Sequence, residues 1–179
     1  MKIIIRILIG LGVLVVFVLI VALFTENEYN VERQISINRP KQGVFDYIKM
    51  LKNQDNFSKW SQMDPNMKKD YSGTDGTVGF TASWASENND VGKGSQTIAK
   101  ITEGAGIDTD LHFIEPFEGK ADAHMKTDAI ATDQTNVSWS IHSKMPFPMN
   151  ITLLFINMDE LMGRDLEVGL LNLKKQLEN

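Results

Sequence analysis

The chain has 179 residues, with 18 Lys+Arg against 23 Asp+Glu for a formal net charge of −5, and it has no cysteine. Disulfides, thiolate catalysis and Cys-ligated metal centres are therefore excluded. The acidic balance argues against a nucleic-acid partner, because phosphate binding needs a basic surface. Only Lys2 and Arg6 are charged among the first 24 residues, so the remaining 155 carry 16 basic and 23 acidic side chains, enough chain for one domain with a sizeable core.

An uncharged apolar run of 18 residues, Ile7–Phe24, follows the two basic residues. As a helix it is about 27 Å long, close to a hydrocarbon core of about 30 Å. Basic residues before it and acidic residues after it place the N-terminus in the cytoplasm and the rest outside. The alternative is a cleaved signal peptide, but the run exceeds the usual h-region of ~7–15 residues and lacks an A-x-A-like site. We predict a single-pass signal anchor at 1–25 and an extracytoplasmic domain at 26–179.

The domain opens with a strand followed by two short helices. Residues Tyr29–Ile37 alternate between apolar and polar side chains, as a half-buried strand does. Pro40 then opens a helix, since proline suits a first helical turn, and apolar residues continue at helical spacing to Leu51. A second short helical piece holds Phe57 and Trp60.

Period-two stretches separated by turn residues predict an antiparallel meander after residue 65. The turns lie at 73–76, 88–90, 104–106, 117–119 and 133–134. One face of this sheet is apolar and the other polar, as expected of a sheet that packs on one side. Alternation assigns the following residues to the apolar face: Val78, Phe80, Ala82, Trp84, Thr97, Ala99, Ile101, Leu111, Phe113, Ala123, Met125, Thr127, Ala129, Val137, Trp139 and Ile141.

A long C-terminal helix is predicted from about Ile151 to Leu177, where apolar residues return to helical spacing. They form one broad stripe: Leu154, Phe155, Met158, Leu161, Met162, Leu166, Leu170, Leu173 and Leu177. This helix covers the apolar face of the sheet.

Local motifs add a family resemblance to this order of elements. They are Trp60-Ser61 with Asp64-Pro65, the run Tyr71–Gly79, Trp84, Val91–Gly94, Pro116-Phe117, Thr135–Trp139 and Gly163–Lys174. Over Tyr29–Glu178 the sequence resembles the START-like (SRPBCC) superfamily, in its polyketide cyclase/dehydrase branch. The resemblance implies an α+β helix-grip fold, a curved antiparallel sheet wrapped around a long C-terminal helix, with a deep cavity that binds lipids or other apolar small molecules. The N-terminal anchor departs from the soluble members.

The candidate ligand-binding residues face this cavity from the sheet and from the last helix. They are Phe80, Trp84, Leu111, Phe113, Met125, Trp139, Ile141, Met158, Met162 and Gly169. An ordinary packed core explains the same pattern, and the resemblance favours a pocket. Asp165 lies in the apolar arc of the helix, where a buried carboxylate needs a partner. We expect it to mark the polar end of the cavity; the alternative is a helix break at Gly163 with Asp165 capping a new turn.

Three histidines share the polar face of the predicted sheet: His112, His124 and His142. Pairing Leu111 with Met125, and Met125 with Ile141, brings the three imidazoles side by side. Such a row is a candidate metal site, for zinc for example, although a strand spacing of ~4.8 Å makes coordination by all three awkward. A solvated sheet face is the competing interpretation, and we predict no cofactor.

The sequence favours a membrane-anchored binding or transfer module for a hydrophobic small molecule or lipid. The first alternative is a cyclase/dehydrase-like or hydrolase-like enzyme that uses a cavity carboxylate such as Asp165 as general acid or base. The sequence offers no identifiable second catalytic group beside Asp165, and such enzymes normally need one. The second alternative is an envelope interaction domain with a filled core and no ligand.

Overall fold

The computed structural model describes residues 2–179. Its α-helices are α1 (Lys2–Phe24), α2 (Lys41–Lys49), α3 (Lys59–Met63) and α4 (Met158–Glu178). Its strands are β1 (Glu28–Ile37), β2 (Lys68–Ser72), β3 (Thr81–Ala85), β4 (Lys93–Thr102), β5 (Gly106–Glu115), β6 (Gly119–Ala131) and β7 (Gln134–Lys144). Two 3-10 helices, Leu51–Asn56 and Met149–Leu154, complete the chain.

The seven strands form one antiparallel sheet in the order β1-β7-β6-β5-β4-β3-β2. The predicted meander is confirmed for β2 to β7, and β1 closes the sheet by pairing with β7, with Val31 opposite Ile141. On the inner face Met125 lies opposite Ile107 on one side and opposite Trp139 on the other. The buried core fills the space between this face, α2 and α4, as the one-sided pattern predicts.

Helix α1 stands apart from this core, because nearly all its side chains are exposed. It is long and apolar enough to cross a membrane, and a signal sequence near an N-terminus has the same length and composition. Ala22, in its last turn, is the one α1 side chain that is buried among residues 2–179. The predicted helix is thus present, and its last turn contacts the rest of the chain.

The predicted inner face of β4 is wrong before Lys100 and right at Ile101, which packs against the core. A bulge between Ile98 and Lys100 shifts the register against β5, so residues before and after it face opposite ways from a strict alternation. Ile98 is fully buried, whereas Ala99, which we expected to face inward, is exposed. Val78, also expected to face inward, is exposed in the loop that precedes β3.

The long C-terminal helix is confirmed, but it begins at Met158 rather than near Ile151. The side chain of Asn157 accepts a hydrogen bond from the Glu160 backbone N–H at 3.1 Å, which caps the helix at this point. The residues before the cap form a separate 3-10 helix. Two members of the predicted stripe that precede the cap, Leu154 and Phe155, are therefore exposed instead of buried. Leu161, in the first turn of α4, is exposed as well.

A cavity with a polar wall as candidate functional site

A partly open cavity of about 270 Å³ lies on the concave face of the sheet. Strands β2 to β7 form one wall, and the 3-10 helix Leu51–Asn56 together with α3 forms the other. Helix α4 contributes Met162 to the lining. Most of the lining is apolar, so the cavity suits an apolar guest.

Six of the residues expected from the sequence line this cavity: Trp84, Leu111, Phe113, Trp139, Ile141 and Met162. Phe80 and Met125 instead belong to the packed core, and Met158 packs against that core. None of these three residues lines the cavity. A periodic pattern identifies the face, and the position along each strand decides whether a side chain meets the cavity.

Gly169 permits a close approach between α4 and the sheet. A Cβ atom built at Gly169 would lie 2.7 Å from Cζ3 of the Trp139 indole, which is a steric clash. Trp139 is in turn held by edge-on contacts with Phe57 and Trp60, at centroid distances of 5.7 and 6.1 Å. The glycine therefore allows a large aromatic side chain to fill the space between α4 and the cavity.

Asp165 does not line the cavity. Its carboxylate pairs with the ammonium group of Lys59, the first residue of α3. Helix α4 runs without a break through Gly163, so the alternative in which Asp165 caps a new turn is wrong. The partly buried ion pair links α3 to α4, and it satisfies the need of this carboxylate for a partner.

A cluster of polar side chains that no sequence pattern predicted lies on the cavity wall. The Asp55 carboxylate contacts Lys69 Nζ at 2.7 Å and accepts a hydrogen bond from the Tyr71 hydroxyl at 2.7 Å. The Ser61 hydroxyl lies 3.4 Å from the same carboxylate. These residues come from the 3-10 helix Leu51–Asn56, α3 and β2, so only the tertiary structure assembles them. The one sequence signal was the i, i+2 spacing of Lys69 and Tyr71, which puts them on one face of a strand.

Burial raises the pKa of Tyr71 to about 12, and the hydrogen bond to Asp55 and the charges of Asp55 and Asp75 act in the same direction. The phenol therefore stays protonated at neutral pH and acts as a donor. Because Asp55 already accepts from Tyr71 and pairs with Lys69, its oxygens are engaged within the protein.

Two buried N–H donors on the cavity wall have no hydrogen-bond partner within residues 2–179. They are Nε2 of Gln54 and Nε1 of Trp139. Gln54 is only 9% exposed and Trp139 only 3%, so bulk water does not reach them freely. A buried donor without an acceptor costs about 1–3 kcal/mol. Both atoms are covered by neighbouring protein atoms, so an acceptor on a bound molecule would remove this cost only after these side chains shift toward the cavity.

The 3-10 helix that carries Gln54 and Asp55 is fixed by the loop between β2 and β3. The Asp75 carboxylate in this loop accepts hydrogen bonds from the backbone N–H groups of Leu51 and Lys52, at 2.8 and 3.2 Å. These N–H groups begin the helix and would otherwise lack partners. The Gly-rich turn identified in the sequence thus supports the cavity wall.

The proposed row of histidines is wrong. The three imidazoles do lie on the outer face of the sheet, but the register differs from the expected one, and each lies opposite a charged residue instead of another histidine. Across the strands, His112 faces Lys120, His124 faces Asp108 and His142 faces Asp122. Because Met125 pairs with Ile107 and Trp139, the histidines are displaced along their strands. No set of three or more His, Cys, Asp or Glu side chains suited to a metal ion occurs among the described residues.

No protein-family model and no curated protein matches the chain. Solved structures do match. A protein from Nitrosospira multiformis aligns with a TM-score of 0.57 at 18% identity, over 83% of this chain and 95% of that chain. The Aha1 dimer from Colwellia psychrerythraea aligns with a TM-score of 0.57 at 17% identity, over 84% and 96%.

Norcoclaurine synthase from Thalictrum flavum, in complex with dopamine and hydroxybenzaldehyde, aligns with a TM-score of 0.58 at 10% identity, over 88% of this chain and 91% of that chain. The chain has the START-like helix-grip fold. At these identities the likeness concerns the arrangement of the sheet and α4, and the function must be argued from the cavity of this chain itself.

Proposed function

We propose that the chain is a membrane-anchored binding or transfer module for a small apolar molecule that carries a hydrogen-bond acceptor. In this proposal residues 1–25 are an uncleaved anchor with a cytoplasmic N-terminus, and residues 26–179 are an extracytoplasmic domain of the SRPBCC superfamily, in the polyketide cyclase/dehydrase branch. The cavity holds the molecule, and the anchor keeps the cavity close to a membrane in which apolar molecules concentrate.

The observation that carries the proposal is the pair of unpartnered donors, Gln54 Nε2 and Trp139 Nε1, on the wall of an otherwise apolar cavity. Native proteins satisfy nearly all buried polar groups, and of the three exceptions in residues 2–179 only Asn150 Oδ1 belongs to a residue outside the cavity lining. The other two support a bound acceptor, which a small shift of the Gln54 and Trp139 side chains would bring within hydrogen-bond reach. A carbonyl or ether oxygen is such an acceptor. This sharpens the chemical class beyond a generally hydrophobic ligand.

The cavity volume limits the size of the guest. Pockets for drug-sized molecules measure about 300–1,000 Å³, and the 270 Å³ found here lies just below that range. A ring system or a single short chain fits this space better than a lipid with two acyl chains. Met67 and Met162 on the wall are flexible side chains that adapt to the shape of the guest.

Intrinsic fluorescence offers a direct test, because all three tryptophans, Trp60, Trp84 and Trp139, line the cavity. We would titrate the full chain in detergent micelles with 2-acetylnaphthalene, which has a carbonyl, and with 2-ethylnaphthalene, which has none, correcting for partition into empty micelles. The carbonyl compound should bind about 2- to 10-fold more tightly, the range expected for one net hydrogen bond. Equal affinities would reject the proposed acceptor.

A matched pair of variants checks that binding occurs in the cavity. Ala82 lines the cavity, whereas Ala99 is exposed on the neighbouring strand. Ala82→Phe should fill the space and abolish the fluorescence change, and Ala99→Phe should retain it. Retained binding in Ala82→Phe would place the probe elsewhere and remove the basis of the proposal.

A second candidate function is an enzyme of the cyclase/dehydrase or hydrolase type acting on the same kind of molecule. The contact of Asp55 with Lys69 and Tyr71 on the cavity wall favours it, because paired titratable groups are typical of acid–base sites. The same contacts occupy the carboxylate and keep the phenol protonated, which suits binding better than proton abstraction. Recovery of chemically altered 2-acetylnaphthalene after incubation would favour the enzyme; recovery of the unchanged compound favours the binding module.

A further inference from the structure

The segment between β7 and α4, residues 145–157, has an exposed apolar surface that packing within the domain does not explain. It contains no charged residue, since the nearest charges are Lys144 and Asp159. Large apolar side chains nevertheless face solvent along it: Phe147, Met149, Leu154, Phe155 and Ile156. Phe155 is 84% exposed. Exposed contiguous apolar patches of this kind mark sites of contact with a partner or a membrane.

This segment is fastened to the end of α1. The Asn150 side chain donates hydrogen bonds to the backbone carbonyls of Ala22 at 2.7 Å and Thr25 at 3.0 Å. Asn150 is 2% exposed and Ala22 is 1% exposed, so the contact is dry. The Met145 backbone N–H also donates to the carbonyl of Asn27 at 2.7 Å. The position of the segment relative to α1 is therefore set by directed bonds.

The apolar surfaces of α1 and of the segment are continuous. A groove between them is lined by Ile20 and Phe24 from α1 and by Leu154, Phe155 and Ile156 from the segment. If α1 spans a bilayer, its run of about 27 Å places Phe24 at the edge of a hydrocarbon core of about 30 Å. The segment that contacts this last turn lies at the same depth.

We infer that residues 145–157 rest in the interface of the bilayer that α1 spans, with Phe155 directed into the lipid. The inference rests on the proposed membrane anchoring and adds a second point of contact. Apolar faces of interfacial segments lie about 5–10 Å into the headgroup and acyl boundary. Glu28 and Asp159 also line the groove, so attraction to anionic lipids plays no part. The partner of this segment is therefore the apolar region of a bilayer, whatever the charge of the lipid headgroups.

Interfacial docking also fixes which end of the sheet faces the membrane. The start of β1 pairs with the end of β7, with Glu28 opposite Lys144, and this end adjoins α1. Through the register of neighbouring strands the same end of the sheet holds Phe113 opposite Gly119. The loop that follows β5 contributes the cavity residue Phe117, which is 78% exposed. An apolar guest that leaves the bilayer thus meets the loops of the cavity first.

The absence of cysteine makes site-directed spin labelling free of background. We would introduce single cysteines at Phe155, Ile130 and Val15 in the full chain, attach a nitroxide, and reconstitute each into phosphatidylcholine vesicles. Ile130 is the matched control, because it is 54% exposed and belongs to the opposite end of β6. Val15 is in the middle of α1 and reports the anchoring independently. Collision rates with oxygen and with a nickel complex measure the depth of each label.

We expect the label at 155 to collide with oxygen several-fold more, relative to nickel, than the label at 130, with no change when phosphatidylglycerol is added. A lipid-embedded label at 15 with an aqueous label at 155 would overturn the docking and leave the anchoring intact. An aqueous label at 15 would overturn both. Spin–spin broadening at 155 at low protein-to-lipid ratio would show that a second copy covers the segment instead. A label at Phe147 repeats the measurement in case the first site perturbs the fold.

Discussion

Replacing Gly169 by alanine tests how rigidly the cavity wall is built. The new Cβ would lie 2.7 Å from the indole of Trp139, below the distance at which carbon atoms pack. The indole is 3% exposed and contacts two further aromatic rings, so it cannot turn outward. Overpacking of this kind costs about 1–3 kcal/mol. The higher helix propensity of alanine offsets up to about 1 kcal/mol of that.

Gly163→Ala is the matched control, because it lies in the same helix and gains the same propensity. Its Cβ would meet the guanidinium of Arg33, the mobile end of a long side chain, so the clash is relieved by a shift of that group. The ion pairs of Arg33 with Asp159 and Glu167 involve carboxylates that are more than half exposed, and such solvent-screened pairs contribute little to stability. The propensity gain and the weakened ion pairs therefore roughly cancel in this variant.

Thermal unfolding of the full chain in detergent, followed by tryptophan fluorescence, separates the two variants. Gly169→Ala should unfold at a lower temperature than Gly163→Ala, by roughly 2–4 °C for each kcal/mol of difference. It should also bind 2-acetylnaphthalene more weakly, since the displaced indole moves into the cavity. If Gly169→Ala is as stable as Gly163→Ala and binds normally, the indole is not held as described and the close approach has no energetic role.

Three further predictions follow from single groups. The hydrogen bond from the Asn38 backbone N–H lowers the pKa of Glu178. The stability that the Glu178 carboxylate contributes is therefore present above its ordinary pKa of 4.5 and is lost as the pH falls through the lowered pKa. Glu178→Gln should flatten the acid limb of a pH–stability profile. Ultraviolet titration should show one tyrosine that ionises near pH 12, with the stability it contributes lost between pH 10 and 12, and Tyr71→Phe should remove this step. In the naphthalene assay Asp55→Asn should weaken binding more than Asp165→Asn; the reverse order would restore Asp165 as the polar end of the cavity.

The elements of the fold were predictable because each depends on local periodicity. The alternation in β1, the helical spacing after Pro40 and the turn residues of the meander all appear in the structure within a few residues. The errors occur where a single residue interrupts the periodic pattern of a strand or a helix. The bulge after Ile98 inverted the face of β4, and the cap at Asn157 separated the exposed 3-10 helix from α4. A periodic pattern gives no warning of either event.

The candidate site was predictable only in its apolar part. Residues such as Trp84 and Trp139 were identified because an inward-facing position on a strand follows from alternation alone. The polar wall was missed, since Asp55 and Tyr71 are separated by a loop and come together through tertiary packing. The predicted register of the three histidines was wrong for the same reason. Hairpin turns suggest a pairing, but a shift of a few residues along a strand leaves every alternation intact.

The sequence by itself determined the apolar helix, the one-sided sheet with its covering helix, and the exclusion of cysteine chemistry, because length, composition and period are properties of the chain. Only the tertiary structure decided which inward-facing side chains enclose a cavity and which fill the core. It also decided that Gln54 and Trp139 present donors without acceptors and that Asn150 ties an apolar segment to the end of α1. These features depend on distances between residues far apart in the chain, and a local pattern carries no information about such distances.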